Sequence, residues 1–502
     1  MPALIDMIEG IRVAEHHPWP RVIVREDAWR FATNQVSAGH WVMLGLWGDA
    51  GAVHMAVLDE AAGAIAVLTF VCEHGRFPSV AASHPPAIRL ERTIRDLYGL
   101  EPPATPDPRP WLDHGFWGLE HPLGERNPAP VARRAYTFLP VEGENLHQIP
   151  VGPVHAGIIE PGHFRFTANG ETVVRLEQRL GYVHKGIEGL MSGAPLDKAA
   201  RLAGRTSGDS TVAYALAFAQ AVEAALQIEV PPRALYLRAL MAELERLANH
   251  FGDIGAVCND ASFSIMYAQC GILRERTLRL AESCFGHRLM MDRVVPGGVA
   301  ADVGVDSPTR VTTFVEEVRR VFPQLIELYD NTTSLQDRTA TTGIVSPQLV
   351  KQFGAGGHVG RASGRGFDAR KALRYGAYDK LSFEVPVFQA GDVDARVWVR
   401  IREVEQSLSL IEQVLRDLPA GPIRVDPPRT SETREGLGIA EAFRGDVLVW
   451  LRLEGDRVAR CHLRDPSWFQ WPLLEAAIEG NIVADFPLCN KSFNCSYSGH
   501  DI

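Results

Sequence analysis

The spacing of hydrophobic residues changes along the chain from a strand-like to a helical period. A segment near Pro86–Leu97 predicts a helix ending at Gly99, because glycine adopts without strain the left-handed conformation that closes many helices. Three apolar runs of strand length precede it, at Trp41–Trp47, Val53–Leu58 and Ile65–Cys72. Residues 1–100 therefore predict a compact α/β unit.

Beyond this unit the pattern predicts a linker, a hairpin and then long helices. Residues 101–130 are rich in proline and glycine, and the alternation over Val151–Val174 around Asn169-Gly170 predicts a β-hairpin. Apolar residues then recur every three or four positions in two segments, Leu237, Leu240, Leu244, Leu247 and Phe251, and Val397, Ile401, Val404, Leu408, Ile411 and Leu415. Each segment predicts an amphipathic helix.

This order of elements predicts a fold of class α+β. We expect an N-terminal α/β domain over residues 1–125, a linker over 126–150, and a mainly α-helical domain with a small β-sheet over 151–502. A length of 502 residues is consistent with two or three domains.

One glycine-rich segment, Gly354–Gly366, lacks the spacing of a phosphate-binding motif and predicts a tight loop. Arg361, Arg365 and Arg370 are mixed with Gly and Asp in this part of the chain. We expect these arginines on an exposed surface or loop, or alternatively against a partner.

Composition and charge exclude several classes of protein. The chain is 46% hydrophobic and 22% charged, as globular proteins are, and its net charge of -10 without a long basic run excludes nucleic acid as a partner. Apolar stretches such as Ala61–Val71 fall short of the roughly 20 residues that cross a bilayer. Because Asp6 and Glu9 lie where a secretory signal would be basic and then apolar, we expect a cytoplasmic location.

Cysteine spacing excludes the usual thiol frameworks. No two cysteines form a CxxC pair, so we expect no disulfide framework, zinc site or iron–sulfur cluster in this chain. The seven cysteines are Cys72, Cys258, Cys270, Cys284, Cys461, Cys489 and Cys495.

Short motifs in both halves resemble subunits of complex I and of membrane-bound nickel–iron hydrogenases. Glu91-Arg92, Asp96-Leu97-Tyr98-Gly99-Leu100 and Pro106-Asp107-Pro108-Arg109 resemble the 30-kilodalton subunit of complex I. Gly181-Tyr182-Val183-His184-Lys185-Gly186-Ile187-Glu188, Ala242-Glu243-Leu244, Asn249-His250, Arg361-Ala362-Ser363-Gly364 and Tyr375-Gly376-Ala377-Tyr378-Asp379 resemble the 49-kilodalton subunit and hydrogenase large subunits. The fused order is similar to that in formate-hydrogenlyase-type hydrogenases. It implies a small iron–sulfur partner, integral-membrane partner subunits, and a peripheral position on the inner face of the cytoplasmic membrane.

The resemblance also implies where nickel and iron would be bound, by four thiolates from two motifs. Here the first motif reads Arg201-Leu202-Ala203-Gly204-Arg205-Thr206 and the last reads Phe493-Asn494-Cys495-Ser496-Tyr497-Ser498. Ala203, Thr206 and Ser498 lack sulfur at three of the four positions. One thiolate cannot hold a bimetallic centre, so we expect no nickel–iron centre and no tightly bound cofactor. Cys495 is then expected to be a half-buried residue near the former metal site.

In the complex I branch of the family, the resemblance implies a quinone site with a histidine at His184 and an aspartate at Asp260. An imidazole can donate a proton to a reduced quinone oxygen, and a carboxylate can orient and recharge it. The tyrosine of that site falls at Gly204 here and is absent. The alternatives are a hydrogen-bonded structural histidine at the mouth of a hairpin for His184 and a helix cap for Asp260.

Three further carboxylates, Glu188, Glu243 and Asp253, lie in helices that the family buries. Each is a candidate member of a proton relay or, alternatively, of a structural ion pair, because a buried ionisable group is unfavourable unless it is paired or functional. His250 is expected to be a packed or capping histidine.

Two functions follow from these observations. In the first, the chain is an oxidoreductase subunit that passes electrons from an iron–sulfur partner to a quinone-like acceptor near His184 and Asp260. In the second, it is a non-catalytic scaffold or coupling subunit that has kept the fold after losing the metal centre.

Overall fold

The computed structural model describes residues 3–128, 135–156 and 159–502. Its α-helices are Glu26–Ser37 (α1), Ile88–Tyr98 (α2), Ile187–Met191 (α3), Leu196–Ala203 (α4), Thr211–Leu226 (α5), Pro232–Asp260 (α6), Ser264–Phe285 (α7), Ser307–Asn331 (α8), Thr333–Thr339 (α9), Pro347–Phe353 (α10), Gly357–Ala362 (α11), Ala369–Ala372 (α12), Val393–Asp417 (α13), Ser467–Ile478 (α14), Phe486–Phe493 (α15) and Tyr497–His500 (α16). Its strands are Ile11–Val13 (β1), His16–His17 (β2), Arg21–Val24 (β3), Val42–Asp49 (β4), Ala52–Asp59 (β5), Ala64–Val71 (β6), Leu119–Glu120 (β7), Asn127–Pro128 (β8), Leu146–Val151 (β9), His163–Asn169 (β10), Thr172–Arg179 (β11), Ala194–Pro195 (β12), Val294–Val295 (β13), Gly298–Val299 (β14), Thr433–Ala442 (β15), Gly445–Glu454 (β16) and Arg457–Arg464 (β17).

The N-terminal unit is a five-stranded sheet in the order β1-β3-β6-β5-β4. Strands β3 and β6 are parallel and the other neighbours are antiparallel, while α1 packs on β3 and β6 and α2 packs on β4. The three predicted strands are confirmed as β4, β5 and β6. The predicted helix is confirmed as α2, which ends at Gly99 in the left-handed conformation with a φ of 72°.

A second sheet of three antiparallel strands follows, in the order β11-β10-β9. The predicted hairpin is confirmed as β10 and β11, which meet at Asn169-Gly170. Residues 157 and 158 of the predicted hairpin segment, and 129–134 of the predicted linker, lie outside the described residues. Helix α14, from the C-terminal part of the chain, packs on β11 of this sheet.

Long helices form the core of the C-terminal unit. The two amphipathic helices predicted from periodicity are confirmed as α6 and α13, which pack against each other; α6 also packs on α7. The side chains of Leu237, Leu240 and Leu244 are fully buried in this core. Of the helices in the described ranges, none combines the length and the apolar character needed to cross a membrane.

The two units share a third sheet, in the order β12-β17-β16-β15-β2. Its edge strand β2 comes from the N-terminal unit and pairs in parallel with β15, with His16 opposite Glu435. Trp47 of β4 and Trp450 of β16 pack together in a buried cluster between the two units, with ring centroids 5.8 Å apart. This apolar layer fixes the N-terminal unit against the C-terminal one.

The expected loop over Gly354–Gly366 is partly wrong, because its middle forms the short helix α11. The glycines allow this helix to approach other backbone closely. A Cβ atom on Gly357 would lie 1.8 Å from the carbonyl oxygen of Arg444, and one on Gly360 would lie 2.1 Å from that of Ala355. The glycine-rich composition therefore reflects tight packing rather than a loop.

The prediction that the nearby arginines are exposed is also wrong. Arg361 and Arg370 are fully buried, and Arg365 nearly so. Arg361 forms an ion pair with Glu403 of α13 at 2.6 Å, and also one with Glu441 of β15 at 3.0 Å. Since these carboxylates are distant in sequence, no local pattern around the arginines indicates that their charges are neutralised in the core.

Candidate functional site

The two segments that correspond to metal-binding motifs in the resembling hydrogenases meet in the folded chain. The hydroxyl oxygens of Ser207, after α4, and Ser496, before α16, are 3.0 Å apart and share a hydrogen bond. Beside them lies a cavity of about 300 Å³, which we call the polar cavity. It is lined by Ile159, Glu160, Ser207, Gly208, Asp209, Arg444, Asn490, Lys491, Asn494, Cys495, Ser496, Tyr497 and Ser498.

An ion pair between Arg444 and Asp209 forms one wall of the polar cavity. Arg444 lies in the turn between β15 and β16, and its guanidinium donates to Asp209 Oδ1 at 2.8 Å and to the carbonyl oxygen of Asn494. Burial alone would raise the pKa of Asp209, but the adjacent guanidinium outweighs burial and lowers it. Asp209 is therefore ionised at neutral pH. The close approach of Gly357 to the backbone of Arg444 helps to set the position of this wall.

The four positions that would hold nickel and iron present one thiol. Ala203 and Thr206 are fully buried and do not line the polar cavity, whereas Cys495 and Ser498 do. Cys495 was expected to be half-buried but is almost fully buried, because α14 packs over it: Trp471 of that helix donates to the carbonyl oxygen of Ser496 at 3.1 Å.

The chemistry of these groups does not fit a nickel–iron centre. A bimetallic centre of this kind needs four thiolates. Of the four positions, Ala203 and Thr206 do not line the polar cavity and carry no sulfur, Ser498 offers a hydroxyl, and Cys495 alone offers a thiol. Within the described ranges, no three or more His, Cys, Asp or Glu side chains are grouped so that they could hold a metal ion. All seven cysteines are free and buried.

His184 lies beside the C-terminal segment. Its Nδ1 donates to the carbonyl oxygen of Asp501 at 3.2 Å, and its ring centroid is 5.0 Å from that of Trp117. Burial lowers the pKa of His184, and its contacts with Asp501 partly oppose this. The imidazole does not line the polar cavity, but the next residue, Lys185, donates to the carbonyl oxygen of Thr206 at 2.9 Å.

Asp260 is the last residue of α6, and the charge of Lys491, which lines the polar cavity, acts on its carboxyl group. Burial raises the pKa of Asp260, and the ammonium group of Lys491 opposes this. The alternative that Asp260 caps a helix is wrong, because α7 has no side-chain cap and its N-cap residue is Phe263. Among the contacts of the described residues, no hydrogen bond or ion pair joins Asp260 to His184, so the structure does not bring the predicted pair into direct contact.

Glu188 of α3 forms an ion pair with strand β17 of the third sheet. Its carboxylate is 2.8 Å from Arg460 and accepts a hydrogen bond from Nδ1 of His462 at 2.8 Å. Burial would raise the pKa of Glu188, but Arg460 and His462 outweigh burial and lower it to about 2. This is the geometry of a structural ion pair.

The other two carboxylates belong to a buried network between α6 and α13. Glu243 accepts from Arg370 at 2.8 Å and from the hydroxyl of Tyr378 at 2.6 Å, and Asp253 accepts from Arg400 at 3.2 Å. The ion pairs lower the pKa of Glu243 despite its burial. The prediction of a packed His250 is confirmed: its Nε2 donates to Glu403 at 2.7 Å in the same network.

Sequence reasoning did not identify Asp209, Arg444 or Lys491 as residues of the site. Asp209 follows the first motif by three residues, so its proximity to the site was available from the sequence. Arg444 and Lys491 occur singly, without a motif, and reach the polar cavity only through the fold.

Comparison with known proteins identifies relatives among the subunits of formate hydrogenlyase and of NADH-quinone oxidoreductases. Residues 260–438 match the family described as the 49 Kd subunit of respiratory-chain NADH dehydrogenase. Formate hydrogenlyase subunit 5 of Escherichia coli (strain K12) is 33% identical over 437 residues, which are 85% of this chain and 77% of that protein. The C/D subunit of the NADH-quinone oxidoreductase of Bacteroides thetaiotaomicron is 29% identical over 450 residues, 84% of each chain. The D subunit of the same enzyme of Desulfotalea psychrophila is 34% identical over 341 residues, 67% of this chain and 91% of that one.

These matches define the class as a subunit of an oxidoreductase complex. Within that class, the chain belongs to the family of large subunits shared by complex I and the hydrogenases related to formate hydrogenlyase. The family expected from the short motifs is thereby confirmed.

Proposed function

We propose that this chain is the large subunit of a membrane-associated oxidoreductase complex and holds a quinone-like acceptor in the polar cavity, without a nickel–iron centre of its own. Electrons come from an iron–sulfur partner subunit. The complex includes integral-membrane subunits, and this chain is peripheral on the inner face of the cytoplasmic membrane.

The observation that carries this proposal is the polar cavity itself. The hydrogen bond between Ser207 and Ser496 joins the two motif segments beside a cavity of about 300 Å³. This cavity is lined by hydroxyl, amide and charged groups. Such groups can donate hydrogen bonds to the carbonyl oxygens of a small ring, and Lys491 places a cation where a reduced oxygen would gain negative charge. A single thiol at Cys495, by contrast, cannot supply the four sulfur ligands of a nickel–iron centre.

His184 and Asp260 are proposed to act at the margins of the polar cavity. Asp260 balances the charge of Lys491 electrostatically, and His184 holds the C-terminal segment through Asp501. Glu188 and Glu243 remain proposed members of a proton relay. Their ion pairs keep both carboxylates ionised and oppose protonation, so either would take up a proton only when its arginine partner, Arg460 or Arg370, moves away.

The test uses the complex purified from membranes, with a reduced viologen dye as electron donor and a short-chain quinone as acceptor. We expect the complex to contain no stoichiometric nickel. We expect the rate of quinone reduction to fall about tenfold or more in Lys491→Met, because one fixed cation at a developing charge contributes several kcal/mol. Lys351→Met is the matched control, since Lys351 is exposed and outside the polar cavity. His184→Ala and Asp260→Ala test the two marginal residues in the same assay.

The outcomes separate the two functions. One nickel per complex with hydrogen uptake would overturn the proposal. A wild-type complex that assembles, couples to its membrane subunits and yet reduces no quinone would instead favour the scaffold function, for which the saturated ion pairs of Glu188 and Glu243 are the supporting observation.

A further inference from the structure

A second carboxylate, that of Glu245, lies near Asp209 but does not line the polar cavity. Glu245 of α6 is almost fully buried, and its two oxygens accept hydrogen bonds from the backbone N–H groups of Val212 at 2.7 Å and Ala213 at 3.1 Å, in the first turn of α5. Asn249 connects the two carboxylate-bearing segments, because its amide donates both to the carbonyl oxygen of Asp209 at 2.8 Å and to that of Glu245 at 2.9 Å.

A small void separates Glu245 from the protein surface. Its volume is about 30 Å³, which is enough for a water molecule. Asp209 and Glu245 both line it, and Asp209 also lines the polar cavity. Its outer wall carries Arg274 and Arg288, whose residues are exposed to solvent. Asp209 thus lies between the polar cavity and this void, and the void lies between Glu245 and the exposed arginines.

We propose that Glu245 carries protons between solvent, at the void beside Arg274 and Arg288, and the polar cavity beside Asp209. The destination of the proton rests on the function proposed above. There, an acceptor that receives two electrons from the iron–sulfur partner takes up two protons; Glu245 gives each in turn and regains a proton from solvent through the void after each transfer.

Asp209 and Glu245 are held in opposite protonation states by their surroundings. Burial, reinforced by the negative charge of Asp209, raises the pKa of Glu245 to about 8, although the two backbone donors and Arg246 oppose this. Asp209 stays ionised because Arg444 compensates its charge. Neighbouring carboxyl groups whose pKa values are pushed apart in this way form a proton donor and an acceptor.

The charges around Glu245 come from each element packed against it. Asp209 faces it from the turn before α5, Arg246 follows it on α6, and Arg274 lies across the void on α7. Arg288 lies beyond α7 and is paired with Glu275 at 2.8 Å. Among these described groups Asp209 is the one whose negative charge adds to burial in disfavouring ionisation of Glu245, so the titration of Glu245 is coupled to Asp209.

The direct test is infrared spectroscopy of the protein, in which the C=O stretch of a protonated carboxyl group is followed against pH. We expect one component to disappear with a midpoint near pH 8, and Glu245→Gln to lack it. Glu441→Gln is the matched control at another buried carboxyl group whose pKa burial raises, so this variant must keep the component that Glu245→Gln lacks. If Glu245→Gln loses no component, Glu245 only caps α5 and the proposal is overturned.

A second variant keeps Glu245 itself intact. Burial is the main cause of the raised pKa of Glu245 and the charge of Asp209 adds to it, so Asp209→Asn must move the midpoint to lower pH, by about one unit for a close carboxylate. An unchanged midpoint would show that the two groups are not coupled and would overturn the proposal.

Quinone reduction by the complex tests whether Glu245 delivers protons to the polar cavity. We expect Glu245→Gln to lower kcat about tenfold to hundredfold with an unchanged KM, because the variant loses proton delivery rather than binding. A wild-type complex that reduces no quinone would refute the proposed function alone, and the infrared titrations would still decide the role of Glu245.

Discussion

The indole of Trp47 stacks on the imidazole of His462, with ring centroids 4.9 Å apart and planes inclined by 10°. Trp47 belongs to the N-terminal sheet and His462 to the last strand of the shared sheet, so this contact crosses between the two units. Nδ1 of His462 in turn donates to Glu188, which also pairs with Arg460. The packing of the two units and the ionisation of one buried carboxylate are therefore linked.

Replacing Trp47 by alanine should destabilise the chain by about 3–5 kcal/mol, the usual effect of truncating a fully buried aromatic side chain. The loss is expected to appear as separate unfolding of the two units in urea, detected by tryptophan fluorescence and limited proteolysis. Phe31→Ala is the control, because Phe31 is 38% exposed and contributes less buried area. Equal losses for the two variants would contradict the role given to Trp47.

Acid should destabilise the fold through Glu188. Its pKa is about 2 in the folded chain, against an ordinary value of 4.5 for an exposed glutamate, so the unfolded chain binds a proton first as pH falls. The stabilisation is complete above pH 4.5 and is lost at about 1.4 kcal/mol per pH unit as pH falls toward 2. Burial also lowers the pKa of His462, which acts in the same direction.

The measurement is the free energy of unfolding against pH for the wild type and Glu188→Gln. The variant should be less stable at neutral pH and should lose less stability on acidification. Glu432→Gln, at a side chain that is 66% exposed, should reproduce the wild-type slope. A Glu188→Gln slope equal to that of the wild type would show that this carboxylate has an ordinary pKa.

Gly357→Ala should disturb the polar cavity. The added Cβ would lie 1.8 Å from the carbonyl oxygen of Arg444, and a φ of 63° is strained for alanine, so the chain must shift at the Arg444–Asp209 wall. We expect a loss of several kcal/mol in the free energy of unfolding. Gly271→Ala, in an open position on α7, should instead stabilise the chain by about 0.5–1 kcal/mol. If both variants have the same stability, the close approach of α11 is not a constraint.

Cys495 should be unreactive in the native protein. The thiol is buried and its raised pKa leaves little thiolate at neutral pH, so alkylation by iodoacetamide is expected to be slow until urea unfolds the chain. Peptide mass spectrometry measures the modification at each cysteine. Rapid labelling of Cys495 in the folded protein would show that the polar cavity admits the reagent and holds a thiolate.

The elements encoded by a regular period were predictable from the sequence. Helices α6 and α13 repeat apolar residues every three or four positions, and β4, β5 and β6 are apolar runs of strand length, so each pattern specifies one structure. The hairpin was predictable because Asn169-Gly170 supplies the residues that a tight turn needs.

The candidate site was predictable only in part. The missing sulfur at Ala203, Thr206 and Ser498 is readable from local motifs, but the cavity beside them depends on a contact between Ser207 and Ser496, 289 residues apart. The burial of Arg361 was not predictable for the same reason. Its charge is neutralised by Glu403 and Glu441, and no periodic pattern connects these residues.

Strand β2 gives the N-terminal unit a role in protecting its neighbour. Without His16 and His17, the backbone of β15 at Glu435 and Gly436 would be left as an open edge, available for pairing with other chains. If the polypeptide were severed within 126–150, the C-terminal fragment on its own would tend to aggregate. Co-expressed with the N-terminal fragment, it should reassemble by complementation, so the covalent link would serve mainly to guarantee one N-terminal unit for each C-terminal one.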